Sequence, residues 1–62
     1  MQNPQYLTER EVAEMTKRAL PTLRNDRHKG KGMPYIKIGR SVRYALRDVI
    51  EYMDSKRIRP ES

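Results

Sequence analysis

Residues 19–45 read ALPTLRNDRHKGKGMPYIKIGRSVRYA, a segment with helical spacing followed by one in which apolar and polar residues alternate. Pro21 is tolerated only in the first turn of a helix, so we expect a helix that begins one or two residues before it. Gly30 suits the position just after the end of that helix. The alternation on both sides of Gly39-Arg40-Ser41 predicts a β-hairpin.

Each of these two elements has a predicted inner side. In the hairpin, we expect the alternating apolar residues of both strands to cover the core: Ile36, Ile38, Val42 and Tyr44. In the helix, at about 100° per residue, a narrow buried side is formed by Leu20, Leu23 and Arg27. The outward face then carries Pro21, Thr22, Asn25 and His28, with Arg24 at its edge. Side chains of this kind can enter the groove of a binding partner. An ordinary solvated helix carries a mixture of Glu and Lys on its outward face instead.

The segment before residue 19 predicts a first helix. Thr8-Glu9-Arg10-Glu11 matches the capping box, and we expect the helix to run from there to about Thr16. Its buried side should carry Val12, Met15 and Thr16, with Ala13 at the margin. Glu9 and Glu14 are expected to face elsewhere.

The segment after residue 45 predicts a last helix, from residue 46 or 47 to residue 55 or 56. Its apolar stripe consists of Leu46, Val49, Ile50, Tyr52 and Met53. The order helix, helix, hairpin, helix predicts a mostly helical α+β fold, the winged helix-turn-helix, with the hairpin as the wing. We expect residues 1–5 to form a disordered lead, residues 6–56 the domain and residues 57–62 a basic flexible tail.

The charge of the chain indicates a polyanionic partner. Its 62 residues include 14 Lys and Arg against 8 Asp and Glu, a net charge of +6. Nine of the 14 cations lie between Lys17 and Arg43, where Asp26 is the single acid. A surface this positive attracts nucleic acid.

Composition also argues against other classes of protein. A domain near 60 residues has a thin core with little room for a deep substrate pocket, so we expect no enzymatic activity. With no cysteine and with His28 as the single histidine, we expect no metal site and no cofactor. The apolar runs are too short to span a membrane and the first residues form no apolar leader, so we expect a cytoplasmic protein.

Several segments match the sequence pattern of a known family in their order and spacing. They are residues 6–15, Thr22-Leu23, Gly30, residues 34–40, residues 42–44 and residues 48–53. Together they are similar to the small excisionase and AlpA-like proteins of the MerR-type winged-helix superfamily, which are common on prophages, plasmids and integrative elements. The resemblance implies a bacterial or phage-encoded DNA-binding protein. It also implies that the second helix enters the major groove and that the wing reaches the adjacent minor groove or backbone.

Carried over by position, the resemblance implies that Thr22, Asn25 and His28 point toward bases and that Arg24 lies near base edges or phosphate. Arg40 and Ser41 occupy the wing tip. Asn with adenine and Arg with guanine are the usual bidentate pairs, whereas Lys29, Lys31 and Lys37 are either phosphate contacts or solubilising residues. The predicted DNA-contacting set is Arg18, Pro21, Thr22, Arg24, Asn25, His28, Lys31, Arg40, Ser41 and Arg43.

Two positions depart from the family pattern. Arg18-Ala19 stands where the family often has a small apolar residue followed by Ser, which removes a hydroxyl cap and adds a candidate phosphate contact. Asp26 stands where the family often has Trp. A partly buried carboxylate needs a cationic partner, for which we expect Arg43 or Arg40.

The expected function is sequence-specific binding of double-stranded DNA in an excisionase-like role that assists an integrase. An AlpA-like regulator that binds promoter DNA is the alternative, because it would use the same residues. The alternative from another class is a protein-interaction adaptor whose basic face docks on an acidic partner. Since the sequence has no long coiled coil to fix a dimer, we expect a monomer in solution that binds DNA cooperatively.

Overall fold

A computed structural model of the chain describes residues 5–60, which form three helices and three strands. In chain order these are β1 (Tyr6–Thr8), α1 (Glu9–Thr16), α2 (Leu20–His28), β2 (Ile36–Ile38), β3 (Ser41–Ala45) and α3 (Leu46–Ser55). The mostly helical α+β fold, a winged helix-turn-helix with the β2–β3 hairpin as wing, is as predicted. Strand β1 was not predicted. Most of the expected lead and the last two residues of the expected tail lie outside the described residues.

Local signals set the ends of α1. The Thr8 hydroxyl accepts a hydrogen bond from the Glu11 N–H at 3.1 Å, and the Glu11 carboxylate accepts one from the Thr8 N–H at 2.8 Å, which confirms the capping box. Lys17 follows the helix in the left-handed conformation, and its N–H reaches back to the carbonyls of Ala13 and Glu14. Helix α1 therefore ends at this residue, and only three residues separate it from α2.

The start of α2 follows from its proline. Ala19 is the N-cap and makes no side-chain capping hydrogen bond, and Pro21 lies in the first turn, as predicted. At the other end, the Gly30 N–H bonds to the carbonyl of Arg27, and Gly30 has a positive φ of 73°. A residue without a Cβ adopts that conformation without strain, so the helix ends where the sequence predicts.

The three strands form one antiparallel sheet in the order β1-β3-β2. Tyr6 pairs with Ala45 and Thr8 pairs with Arg43, so the start of the chain covers the second edge of β3. The Leu46 N–H extends this contact by bonding to the carbonyl of Gln5 at 2.8 Å. The wing is thus anchored to the body of the domain through the last three residues of its inner strand, Arg43, Tyr44 and Ala45.

The predicted core role of two wing residues is wrong. Ile38 pairs with Ser41, so the loop consists of only two residues, Gly39 and Arg40. Directly paired residues share a face of the sheet, which puts Ile36 and Ile38 opposite to the face of Val42 and Tyr44. Their exposed fractions are accordingly 38% and 66%. A three-residue loop would reverse this arrangement, because shifting the pairing by one residue exchanges the faces.

The hydrophobic core is small, and every element except β2 contributes residues to it or packs residues against it. It consists of the buried Val12, Leu23, Met33, Tyr44 and Val49. The half-buried apolar residues packed against it are Leu7, Ala13, Leu20, Val42 and Tyr52. The expected burial of Met15 is wrong, and Ile50 and Met53 of the apolar stripe on α3 are also exposed.

A rotation of α1 accounts for the exposure of Met15. The half-buried Ala13 and Thr16 both lie on the same side of the buried Val12 around the helix axis, so the inner direction of α1 lies toward that side. At about 100° per residue, Met15 then turns outward and Glu9 turns inward. The expectation that Glu9 faces away from the core is therefore wrong.

The partner of Asp26 also differs from the prediction. Its carboxylate accepts a hydrogen bond from the Arg18 guanidinium at 3.1 Å, and both side chains are about half-buried. Arg43, one of the two expected partners, instead donates to the carbonyl of Val42. Arg18 lies in the turn between α1 and α2, so this ion pair stabilises the helix-turn-helix rather than the wing.

The two-residue wing loop gives a direct test of the register. Gly39 has a φ of 59°, and a Cβ there would meet no atom within 4 Å. Gly39→Ala should therefore destabilise the domain through backbone strain alone, by about 1–2 kcal/mol. Thermal unfolding followed by circular dichroism should show a Tm lower by about 4–8 °C per kcal/mol.

Arg40→Ala is the matched control, because Arg40 occupies the other loop position and does not have a positive φ. This variant should keep the parent Tm. Equal unfolding temperatures for the two variants would contradict the two-residue loop.

Candidate nucleic-acid interface

An open cleft of about 800 Å³ lies between α2 and the wing. We call it the α2–wing cleft; it is lined by Pro21, Arg24, Asn25, Arg27, His28, Tyr35, Lys37, Gly39, Arg40 and Val42. Four of these residues are Lys or Arg and one is His, whereas none is acidic. The concave surface between the second helix and the wing is therefore strongly positive.

The face of α2 toward the cleft is the one that the helical spacing predicted. Pro21, Arg24, Asn25 and His28 recur every three or four residues and line the cleft along its length. An α-helix with its side chains is about 10–12 Å in diameter, so it fits the major groove of B-DNA, which is about 12 Å wide. Asn25 and His28 are exposed, so their polar groups are available to a ligand.

The wing contributes Lys37, Arg40 and Val42 to the opposite wall. Lys37 pairs with Val42, so both side chains lie on the face of the sheet that looks toward α2. From the sequence alone, Lys37 is either a phosphate contact or a solubilising residue. A two-residue loop makes Lys37 pair with Val42, so knowledge of the loop length would have placed Lys37 in the cleft.

Arg27 lies at the back of the cleft and has three partners. Its guanidinium donates to the Tyr44 hydroxyl at 2.9 Å and to the Glu9 carboxylate at 3.2 Å, and it stacks over the Tyr35 ring at 5.6 Å. Its side chain is only 18% exposed. Burial opposes the charge, but the hydrogen bonds to Tyr44 and Glu9 outweigh it and raise the pKa of Arg27. The charge therefore persists and holds α2 against α1 and β3.

Glu9 contacts a second arginine of α2. Arg24 donates from Nη2 to Oε2 of Glu9 at 2.7 Å and from Nε to Oε1 at 3.3 Å, a bidentate pair. The hydrogen bond from Arg24 is the main reason why the pKa of Glu9 lies below its usual value; burial opposes this shift, and Arg27 adds to it. Glu9 is not among the cleft residues, but it orients two of them.

Three residues of the predicted set lie elsewhere. Arg18 lines a different depression, between α1 and the α1–α2 turn, where it pairs with Asp26. Lys31 follows α2 in the loop beside Met33. Arg43 pairs with Ile36 and therefore lies on the outer face of the sheet. The structure thus separates these cations from the α2–wing cleft.

Two further predicted residues border the cleft without lining it. Thr22 is half-buried beside the cleft face of α2, and Ser41 is exposed but shares the outer sheet face with Ile38. Sequence reasoning also missed Tyr35 and Arg27 as cleft residues. Arg27 was expected on the buried side of α2, and no local signal indicates that its long side chain reaches the cleft.

Among residues 5–60, no three His, Asp or Glu side chains come together as metal ligands would. Across the same residues, none of the helices has the length and apolar character to cross a membrane.

Comparison with known proteins identifies the family of the chain. A family model described as a helix-turn-helix domain matches residues 6–57, which is most of the chain. No curated protein and no solved structure matches significantly. The matched span begins with β1 and ends just after α3, so it contains both walls of the α2–wing cleft.

The pairing of Glu9 with two arginines makes the fold sensitive to acid. Because the pKa of Glu9 is lowered in the folded protein, the unfolded chain binds the proton more readily. Its contribution to stability is therefore complete at neutral pH and disappears as the pH falls below about 4.3, the ordinary value of a glutamate. Glu9→Gln should lower the free energy of unfolding by about 1 kcal/mol at pH 7, and the gap to the parent should close toward acid.

Urea unfolding at a series of pH values between neutral and strongly acidic measures this gap. Glu14→Gln is the control, because Glu14 is an exposed acid of the same helix whose side chain makes no ion pair among the described residues. A gap between Glu9→Gln and the parent that stays constant at all pH values would contradict the prediction.

Proposed function

The chain belongs to the helix-turn-helix domain family, a class of DNA-binding module, and from this premise we propose that it recognises a specific sequence in double-stranded DNA without catalysing a reaction. The observation that carries the proposal is the lining of the α2–wing cleft, which has four Lys or Arg residues, one His and no acid. Such a lining complements the phosphate backbone, and the exposed polar groups of α2 complement base edges.

In the proposed complex, α2 enters the major groove with Arg24, Asn25 and His28 toward the base edges. Asn25 suits adenine, because its carboxamide offers one donor and one acceptor, and Arg24 suits guanine. Lys37 and Arg40 on the wing contact the flanking phosphates or the adjacent minor groove. The helix thereby reads the sequence, and the wing fixes the position and register of the domain on the duplex.

We propose an excisionase-like role, in which the protein binds attachment-site DNA and directs an integrase toward excision. The resemblance of the sequence to small excisionase and AlpA-like proteins of the MerR-type superfamily supports this role. A second observation supports a protein partner: Ile50 and Met53 are exposed on α3, which contributes no residue to the cleft. Regulation of transcription at a promoter is the other candidate, since it requires the same DNA-binding surface.

We expect the chain to be a monomer that binds DNA cooperatively. A single module of this kind buries roughly 600–1,000 Å² of its surface on DNA, which is little for specific binding. Several copies on repeated half-sites would supply the remaining affinity.

Substitutions on the two walls of the cleft should have different effects. Asn25→Ala should weaken binding to a duplex selected from a random pool by about 1–3 kcal/mol and relax the preference at one base pair. Lys37→Ala should weaken binding to selected and unrelated duplexes alike and lower the slope of log K against log salt by about 1. Fluorescence anisotropy over a series of salt concentrations measures both effects.

Arg47→Ala is the matched control, because Arg47 is an exposed cation on α3 outside the cleft. It should leave the sequence preference intact and change the salt slope less than Lys37→Ala. Binding that is insensitive to salt, or that shows no preference among duplexes, would contradict the proposal and favour a protein-interaction adaptor.

Sedimentation velocity tests the oligomeric state. Without DNA, the protein should sediment as a monomer at micromolar concentration, and on a duplex with two half-sites the second copy should bind more tightly than the first. A dimer that persists without DNA at nanomolar concentration would overturn the cooperative-monomer proposal.

A further inference from the structure

The guanidinium of Arg24 is held at one edge only. Glu9 accepts from Nε and from Nη2, at 3.3 and 2.7 Å. A guanidinium carries five N–H donors in a planar fork, so three donors remain, and two of them, one on Nη1 and one on Nη2, form the terminal edge that points away from the carboxylate. Within residues 5–60, Nη1 of Arg24 makes no side-chain hydrogen bond. The terminal edge of the arginine is therefore open.

That open edge belongs to a half-exposed side chain in the α2–wing cleft. The Arg24 side chain is 53% exposed, whereas the Glu9 side chain is 22% exposed. Glu9 is thus the inner partner of the pair and Arg24 the outer one. The carboxylate binds the Nε–Nη2 edge of Arg24 and leaves its terminal edge free to contact a ligand.

Glu9 is itself held in place by two independent features. It is the first residue of α1, directly after the Thr8 N-cap, and its Oε1 also accepts from Nη2 of Arg27 at 3.2 Å. Arg27 is fixed in turn by Tyr44. The carboxylate therefore has a defined position relative to α2, which a flexible surface acid would not have.

We propose that Glu9 is a positioning residue that presents the terminal edge of Arg24 to a guanine in the major groove, and so sets sequence preference without touching DNA. The inference rests on the proposed function. Guanine offers two acceptors, O6 and N7, in the plane that a guanidinium edge matches. Because Glu9 already restricts the arginine, the side-chain freedom that a mobile arginine would lose on binding is lost in the free protein.

If Glu9 acted only through its charge, its neutralisation would leave the preference among duplexes unchanged. An acid beside a basic cleft repels phosphates, so its neutralisation should strengthen binding to every duplex by the same factor. If Glu9 positions Arg24, its neutralisation should strengthen binding to unrelated duplexes, whereas binding to the selected duplex should strengthen less or become weaker. The ratio of the two dissociation constants therefore separates the two roles.

The experiment compares Glu9→Gln with Glu14→Gln, an equal change of charge on the same helix. Each variant is titrated into the duplex selected by the parent protein and into duplexes with single G·C pairs replaced. For Glu9→Gln we expect a roughly tenfold loss of discrimination at one G·C pair, within the range of a bidentate contact. Glu14→Gln should keep the discrimination of the parent.

A double-mutant cycle assigns the effect to Arg24. In an Arg24→Ala background, Glu9→Gln should cause no further loss of discrimination at the same base pair. An unchanged ratio in Glu9→Gln, or a loss that persists in the Arg24→Ala background, overturns the inference. Thermal unfolding of each variant confirms that it is folded at the assay temperature.

A measurement without DNA separates this inference from the proposed function. In ¹⁵N spectra of the free protein, the Arg24 Nε–H should exchange slowly with water in the parent and quickly in Glu9→Gln. Specific duplex binding by a parent protein whose Arg24 Nε–H exchanges quickly overturns the inference alone. Slow exchange in a parent protein that shows no preference for any duplex overturns both.

Discussion

The guanidinium of Arg27 joins parts of the chain that are far apart in sequence, and the shape of the cleft depends on it. Glu9 lies at the start of α1, Tyr44 in the central strand, and Tyr35 just before the wing. A charge with so little exposure needs paired donors, and the hydrogen bonds to Tyr44 and Glu9 supply this pairing. These contacts of Arg27 with Glu9, Tyr44 and Tyr35 form a polar junction. Because the hydrophobic core is thin, the junction contributes substantially to holding α2 in position relative to the wing.

The junction also connects the stability of the domain with the α2–wing cleft. Glu9 is the acid that pairs with both α2 arginines, one inside the domain and one at the edge of the cleft. The carboxylate thus offsets the repulsion between neighbouring cations without entering the cleft itself. A chain with a net charge of +6 can in this way collect cations on one surface and still fold.

Most of the fold and part of the site were predictable because their signals are local. The capping box, Pro21 in a first helical turn and Gly30 after α2 each act within a few residues. The cleft face of α2 follows from helical spacing alone. The wrong predictions, by contrast, concern contacts between elements: the burial of Ile36 and Ile38, and the partner of Asp26.

The sequence by itself determined the helices, the hairpin, the positive charge of the middle segment and the cleft-facing side chains of α2, since periodicity and capping depend on neighbours in the chain. Only the tertiary structure decided the two-residue wing loop, which turns Lys37 into the cleft and the wing isoleucines out of it. It also decided the rotation of α1 that brings Glu9 to Arg24 and Arg27. The physical reason is that pairing register and helix rotation are set by packing between distant segments, where a shift of one residue exchanges the inner and outer faces.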